Sequence, residues 1–94
     1  MSADAEPARI TRRQDVILTR TGDEALLVDE ENGCVHVVYR SAARLWELCD
    51  GDPTLEQLVA SMAGAYRVEA HAIRGDVETM VGTFRDLGLL ELSP

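Results

Sequence analysis

The spacing of apolar and polar positions changes period midway along the chain. Asp15 to Thr21 (DVILTRT) alternates imperfectly, with Val16 and Leu18 on one face and Ile17 and Thr19 on the other, and predicts a first strand. Gly22-Asp23 reads as a turn, and Glu24 to Asp29 (EALLVD) as a second strand. Glu30-Glu31-Asn32-Gly33 follows, and its Asn-Gly pair is a hairpin signal because both residues tolerate φ > 0. The run Cys34 to Val38, rich in β-branched residues, then predicts a third strand ending at Tyr39 and returning antiparallel.

After Tyr39 the period becomes helical. Ser41 is the expected N-cap of a helix to Asp50, with Ala42, Leu45, Trp46 and Cys49 at i, i+3, i+4, i+7. Gly51 stands where a left-handed C′ residue is wanted, and Pro53 discourages continuation. Thr54, with Gln57 three residues on, predicts a capping box opening a second helix striped by Leu55, Leu58, Val59, Met62 and Tyr66. A third helix, about Ala70 to Leu87, carries the stripe Ile73, Val77, Met80, Phe84 and Leu87. Gly75 and Gly82 lower its intrinsic stability by up to ~1 kcal/mol each relative to Ala. Leu89 to Leu92 reads as a short terminal strand or extended tail.

Three strands followed by three helices predict a compact α+β domain of the winged-helix kind, a three-stranded antiparallel sheet and then a helical half (βββααα). Ninety-four residues suit one domain, since a chain of this size buries a little over ~60% of its unfolded surface and forms one modest core. The expected division is a flexible N-terminal arm, 1–12, and a single domain, 13–94. The first eight residues, MSADAEPA, read as a disordered lead-in.

Charge narrows the function. The net charge is −8, and all nine cations are Arg. A non-specific nucleic-acid binder needs cations that displace counterions from phosphate, which this balance opposes. Arg9, Arg12 and Arg13 form a basic cluster, expected to be a solvated arm. Cys34 and Cys49 lie fifteen residues apart among apolar neighbours, with no metal-ligand spacing, and both are expected to be buried free thiols. With no secretory segment and no run of eighteen apolar residues, a soluble cytoplasmic protein is expected.

No catalytic constellation emerges. His36 lies on one face of the third strand with Cys34 and Val38, and His71 starts a helix; neither has a nucleophile in a recognisable motif. The carboxylates fall in turns and on helix faces, and Gly22, Gly33 and Gly51 are isolated turn residues without a phosphate-loop pattern. A non-enzyme without metal or cofactor is expected. Binding is easier to argue: an outer strand of a meander keeps unpaired N–H and C=O groups to which an extended peptide can add. The third strand (Cys34, Val35, His36, Val37, Val38) is the expected edge. On the third helix, Arg74, Val81 and Arg85 share one flank of the core stripe. An exposed Val81 between two arginines would suit a peptide of alternating apolar and acidic residues.

The ordered series Val38, Ser41-Ala42-Ala43, Leu45-Trp46-Glu47-Leu48, Asp50-Gly51, Thr54-Leu55-Glu56-Gln57-Leu58, Asp76-Val77 and Leu87-Gly88-Leu89-Leu90 resembles the PqqD-like family, also called RiPP recognition elements. The resemblance covers about residues 15 to 92. It departs at Tyr39, where the family usually has Asn, at the handover from third strand to first helix. The resemblance implies a peptide chaperone. Such a domain binds the leader of a ribosomally made precursor as an added antiparallel strand between the third strand and third helix. It presents the core to a modifying enzyme, a radical maturase or a leader protease/cyclase. Carried over by position, the peptide-binding residues are Cys34 to Val38, through backbone, and Arg74, Val77, Val81 and Arg85. The LLVDEENG hairpin is also similar to standalone leader-binding proteins of lasso-peptide pathways.

Two other readings stand beside this one. A winged-helix DNA-binding or transcription-associated domain draws on the helix pair and the N-terminal arginines, against the −8 charge. A structural or dimerisation module would join two copies as a homodimer through the same sheet edge.

Overall fold

The computed structural model describes residues 8–93; the expected lead-in, apart from Ala8, lies outside them. The element order is β1 (Arg9–Arg12), β2 (Val16–Thr21), β3 (Glu24–Asp29), β4 (Cys34–Tyr39), α1 (Arg40–Leu48), a 3-10 turn (Cys49–Gly51), α2 (Leu55–Tyr66), α3 (Ala70–Asp86) and β5 (Leu90–Ser93). The predicted meander is present as the sheet β2-β3-β4, followed by three helices. The third predicted strand is therefore β4.

Two tight connections set the register. Between Thr21 and Glu24 only Gly22 has positive φ (83°), the pattern of a type II′ turn. A two-residue loop closes on a hydrogen-bonded pair, so Thr21 and Glu24 exchange both bonds, and alternation assigns the others to Thr19–Leu26 and Ile17–Val28. β3 then turns the N–H and C=O groups of Ala25, Leu27 and Asp29 toward β4, where they meet Val38, His36 and Cys34. The groups left facing outward on β4 belong to Val35, Val37 and Tyr39. In the second turn only Gly33 has positive φ (68°), and its N–H donates to the Glu30 carbonyl. The Asn-Gly hairpin is present, with Gly33 taking the left-handed conformation and the Asn32 side chain donating to Asp29.

The inner face of the sheet packs on the helices through Val16, Leu18, Ala25, Leu27 and Val38. Trp46 is the centre of the core, edge-on to Phe84 with ring centroids 5.8 Å apart and planes at 69°, and such a contact adds roughly 0.5–1.5 kcal/mol to burial.

The flexible arm 1–12 is corrected in its described part. Arg9–Arg12 is a strand paired antiparallel with β5, Ile10 opposite Leu92, and Ile10 is only 1% exposed. The Ile10 N–H donates to the Pro53 carbonyl and that of Arg13 to Leu89. Of the expected solvated cluster Arg9 is exposed, whereas Arg12 and Arg13 are half-buried and engaged. Arg12 lies 5.8 Å from the Trp46 ring centroid and pairs with Asp50, while Arg13 binds Asp15, Asp29 and Glu31.

The helix ends follow their capping chemistry. Thr54 and Gln57 form the predicted capping box, Gln57 N–H donating to Thr54 Oγ1 (3.1 Å) and Thr54 N–H to Gln57 Oε1 (3.0 Å). Ser41 is not the N-cap of α1: Tyr39 is, and its side chain makes no cap bond. The left-handed residue after α1 is Asp52 (φ 51°), not Gly51, because the 3-10 turn carries the chain one residue further before it reverses. Cys49 is buried, and burial pushes its thiol up to about 12. Cys34 is exposed, contrary to expectation: it is the first residue of β4, at the end of the sheet beside the β3–β4 turn. No described helix is long and apolar enough to cross a membrane.

Candidate functional site

An apolar groove of about 460 Å³ runs between β4 and α3. One wall is Val35 to Tyr39 with Ala42; the other is Thr79, Met80, Thr83, Phe84 and Leu87. Val35, Val37 and Tyr39 are 58, 62 and 72% exposed, the highest values among the large apolar side chains described. They are also the residues whose backbone groups face away from β3. An uncommitted main-chain edge and an apolar trough thus coincide.

α3 runs opposite to β4 along this groove. Arg13 Nη1 donates both to Asp29 (2.9 Å), the cross-strand partner of Cys34, and to the Gly88 carbonyl (3.4 Å). The end of α3 is therefore tied beside Cys34. At the other end Thr79 shares a second cavity with Ser41 and Tyr66.

Asp29, only 2% exposed, is the anchor of the Cys34 end. Asn32 donates to it from its side chain at 2.8 Å, and Arg13 from two nitrogens at 2.9 and 3.2 Å. The Asn32 hydrogen bond and, after it, Arg13 hold the Asp29 carboxyl below its ordinary value against the opposing effect of burial. The Arg13 hydrogen bond lowers Asp15 likewise, and the two aspartates raise Arg13 further above its already high value.

Of the residues expected on the groove, Val35, His36, Val37 and Val38 line it, and Cys34 lies just beyond. The helix side needs correction. Val77 is fully buried and Val81 is 7% exposed; both are core. Arg74 pairs with Glu56 of α2 and with Glu78 at 3.8 Å, and Arg85 is exposed outside the groove lining. The cause is the β1–β5 ribbon. Val81 faces a cavity it shares with Ile10, Thr54 and Leu92, so the Arg74–Val81–Arg85 flank lies on the ribbon side of α3. The groove takes the opposite flank, where Met80, Thr83 and Leu87 stand, and Leu87, expected in the core, is 45% exposed. A helical wheel does place Thr79 and Thr83 together beside Met80 and Leu87. Two threonines on the margin of an apolar stripe were the available signal.

The groove lining holds one imidazole, His36, without a carboxylate among its neighbours in the lining. Among the described residues no group of three or more His, Cys, Asp or Glu is placed to hold a metal.

Comparison with known proteins adds two findings. The family model for coenzyme PQQ synthesis protein D (PqqD) matches residues 24–90. A solved structure described as TbiB1 in complex with the TbiA(beta) leader peptide superposes with a TM-score of 0.72, covering 86% of this chain and 94% of that one at 20% identity. At that identity the likeness speaks for the fold. No curated protein matches the sequence.

Proposed function

The chain belongs to the PqqD family, and from that premise we propose that it is a non-catalytic adaptor that binds the leader of a ribosomally made precursor peptide as a fourth strand beside β4. The observation that carries this reading is the coincidence at Val35, Val37 and Tyr39 of outward-facing backbone groups with the apolar groove against α3. An added antiparallel strand would exchange bonds with those three residues. Its alternate side chains, opposite His36 and Val38, would enter the groove against Met80, Thr83 and Phe84. Each backbone bond contributes roughly 0.5–1.5 kcal/mol net, so main chain supplies part of the affinity and the pockets supply selectivity. That the structural neighbour is described in complex with a leader peptide supports leader binding. Strand addition leaves the rest of the precursor free, so a modifying enzyme, a radical maturase or a leader protease/cyclase, acts on the core while the adaptor holds the leader in the cytoplasm. The DNA-binding alternative loses its basic patch, because Arg12 and Arg13 are engaged by Asp50, Asp15, Asp29 and Glu31.

Titration with labelled leader peptides from short open reading frames beside this gene tests the proposal. A cognate leader is expected to bind more tightly than ~100 μM, about −5.5 kcal/mol. Thr83→Glu, at an exposed position on the groove wall, should weaken it at least ~10-fold, the effect of about 1.4 kcal/mol, with the thermal midpoint unchanged. Absence of any binder, or indifference to Thr83→Glu, overturns it.

A further inference from the structure

At its Tyr39 end the groove meets a concentration of positive charge that the peptide-binding reading leaves unused. Arg20, Arg40 and Arg44, with Tyr66, line a cavity of about 360 Å³. Tyr39 and Arg40 share the adjoining cavity with Asp23, Ser41 and Tyr66, and Tyr39 is also the last strand residue of the groove. Three of the nine cations of a chain with net charge −8 thus line one cavity, which reaches the groove through the cavity that Tyr39 and Arg40 share.

Local stability does not account for this placement. Arg40 and Arg44 stand at i, i+4 on α1, where like charges repel, and Arg40 opens a helix whose first turn has no acidic residue. Two of the arginines have exposed partners, Arg20 with Glu47 (2.7 Å) and Arg40 with Asp23 (2.8 Å). Such exposed pairs are weak and exchange readily. Arg44 has no ion-pair partner among the described residues. At the opposite end Arg13 holds Glu31, and Glu30, without an ion-pair partner among the described residues, stands exposed in the turn leading into Cys34.

We propose that this arginine-lined cavity is an acidic-residue subsite that fixes the direction of the bound peptide. The inference rests on the strand-addition reading above. A strand antiparallel to β4 begins at Tyr39 and ends at Cys34. The preferred leader therefore carries Asp or Glu just N-terminal to its alternating apolar segment, where the carboxylates reach Arg44 and Arg40. The reversed arrangement sets acidic residues against Glu30. For the same peptide, entry parallel to β4 would carry its N-terminal acids to that end as well.

A displayed library of random peptides, selected on the full chain, tests this without knowledge of the natural leader. Expected is enrichment of apolar alternation preceded by Asp or Glu. Replacing those acids with Asn or Gln in a selected peptide should weaken binding about 2- to 5-fold, the range of an exposed ion pair. The difference should vanish in Arg44→Gln, persist in Arg44→Lys, and shrink between about 50 mM and about 0.5 M salt. Arg44 is exposed, so both variants should keep the wild-type thermal midpoint. Groove binders with no acidic preference, or with acids C-terminal to the apolar segment, overturn the subsite and leave the groove reading standing. Failure to select any peptide whose binding Thr83→Glu disrupts overturns both.

Discussion

Along β2 the outward backbone groups belong to Val16, Leu18 and Arg20, beside two threonines and the Arg20–Glu47 ion pair, whereas along β4 they belong to Val35, Val37 and Tyr39 with no charged residue between Cys34 and Tyr39. Both are edges of one three-stranded sheet. Charge on an edge strand discourages a further strand, and its absence invites one. The side chains differ in degree: β2 exposes one large apolar side chain, Ile17, whereas β4 exposes three, Val35, Val37 and Tyr39, on the strand that borders the trough. Edge chemistry, rather than the mere presence of an edge, marks the side on which a peptide is expected.

The sharpest way to break the comparison is amide exchange. With a selected peptide at 100 times its Kd, the N–H groups of Val35, Val37 and Tyr39 should slow by about 100-fold, the limit set by mass action. Those of Val16, Leu18 and Arg20 should be unchanged. Protection on β2, or on both edges, would show that a partner adds elsewhere.

A second, smaller effect concerns the end where α3 is tied to the β3–β4 turn. The Asp29 and Asp15 carboxyls are held below their ordinary values, so their contribution is fully present above the unfolded carboxylate range and disappears as pH falls through the lowered folded values. Thermal midpoints measured from about pH 7 to about pH 3 should fall on the acid side. Asp29→Asn should start lower and descend less steeply. A variant with the wild-type acid limb would assign the pH dependence to other groups.

The smallest effect lies at the far end of the same strand. Tyr39 gives α1 no side-chain cap, so Tyr39→Asn should stabilise the fold by about 1 kcal/mol, the usual worth of an N-cap. That corresponds to a rise of about 4–8 °C in Tm for a domain of this size. An unchanged Tm would mean that the aromatic ring contributes packing equal to the cap it displaces.

Most of the architecture was readable locally. Glu24 to Asp29 and Cys34 to Tyr39 were legible to the residue because alternation and turn glycines bracket them, and the Thr54–Gln57 box marked α2 because its bonds close within four residues. β1 was not legible: RITR has a single apolar residue, and its partner strand lies some eighty residues away. Missing β1 had a consequence at the site. Without the ribbon, both flanks of α3 were equally available, and the arginine-bearing flank was taken for the groove.

The sequence by itself determined the types of the elements from β2 to α3, the order of the meander and the residues sharing each face of α3, because these follow from periods of 2 and 3.6 and from turn and cap chemistry within a few residues. Only the tertiary structure decided which flank of α3 meets β4, that Val81 is core while Thr83 and Leu87 are groove, and that Arg20, Arg40 and Arg44 share one cavity. Those facts depend on packing between segments far apart in the chain, and β1 against β5 sets those that concern α3: once the ribbon covers one side of α3, the trough is left on the other.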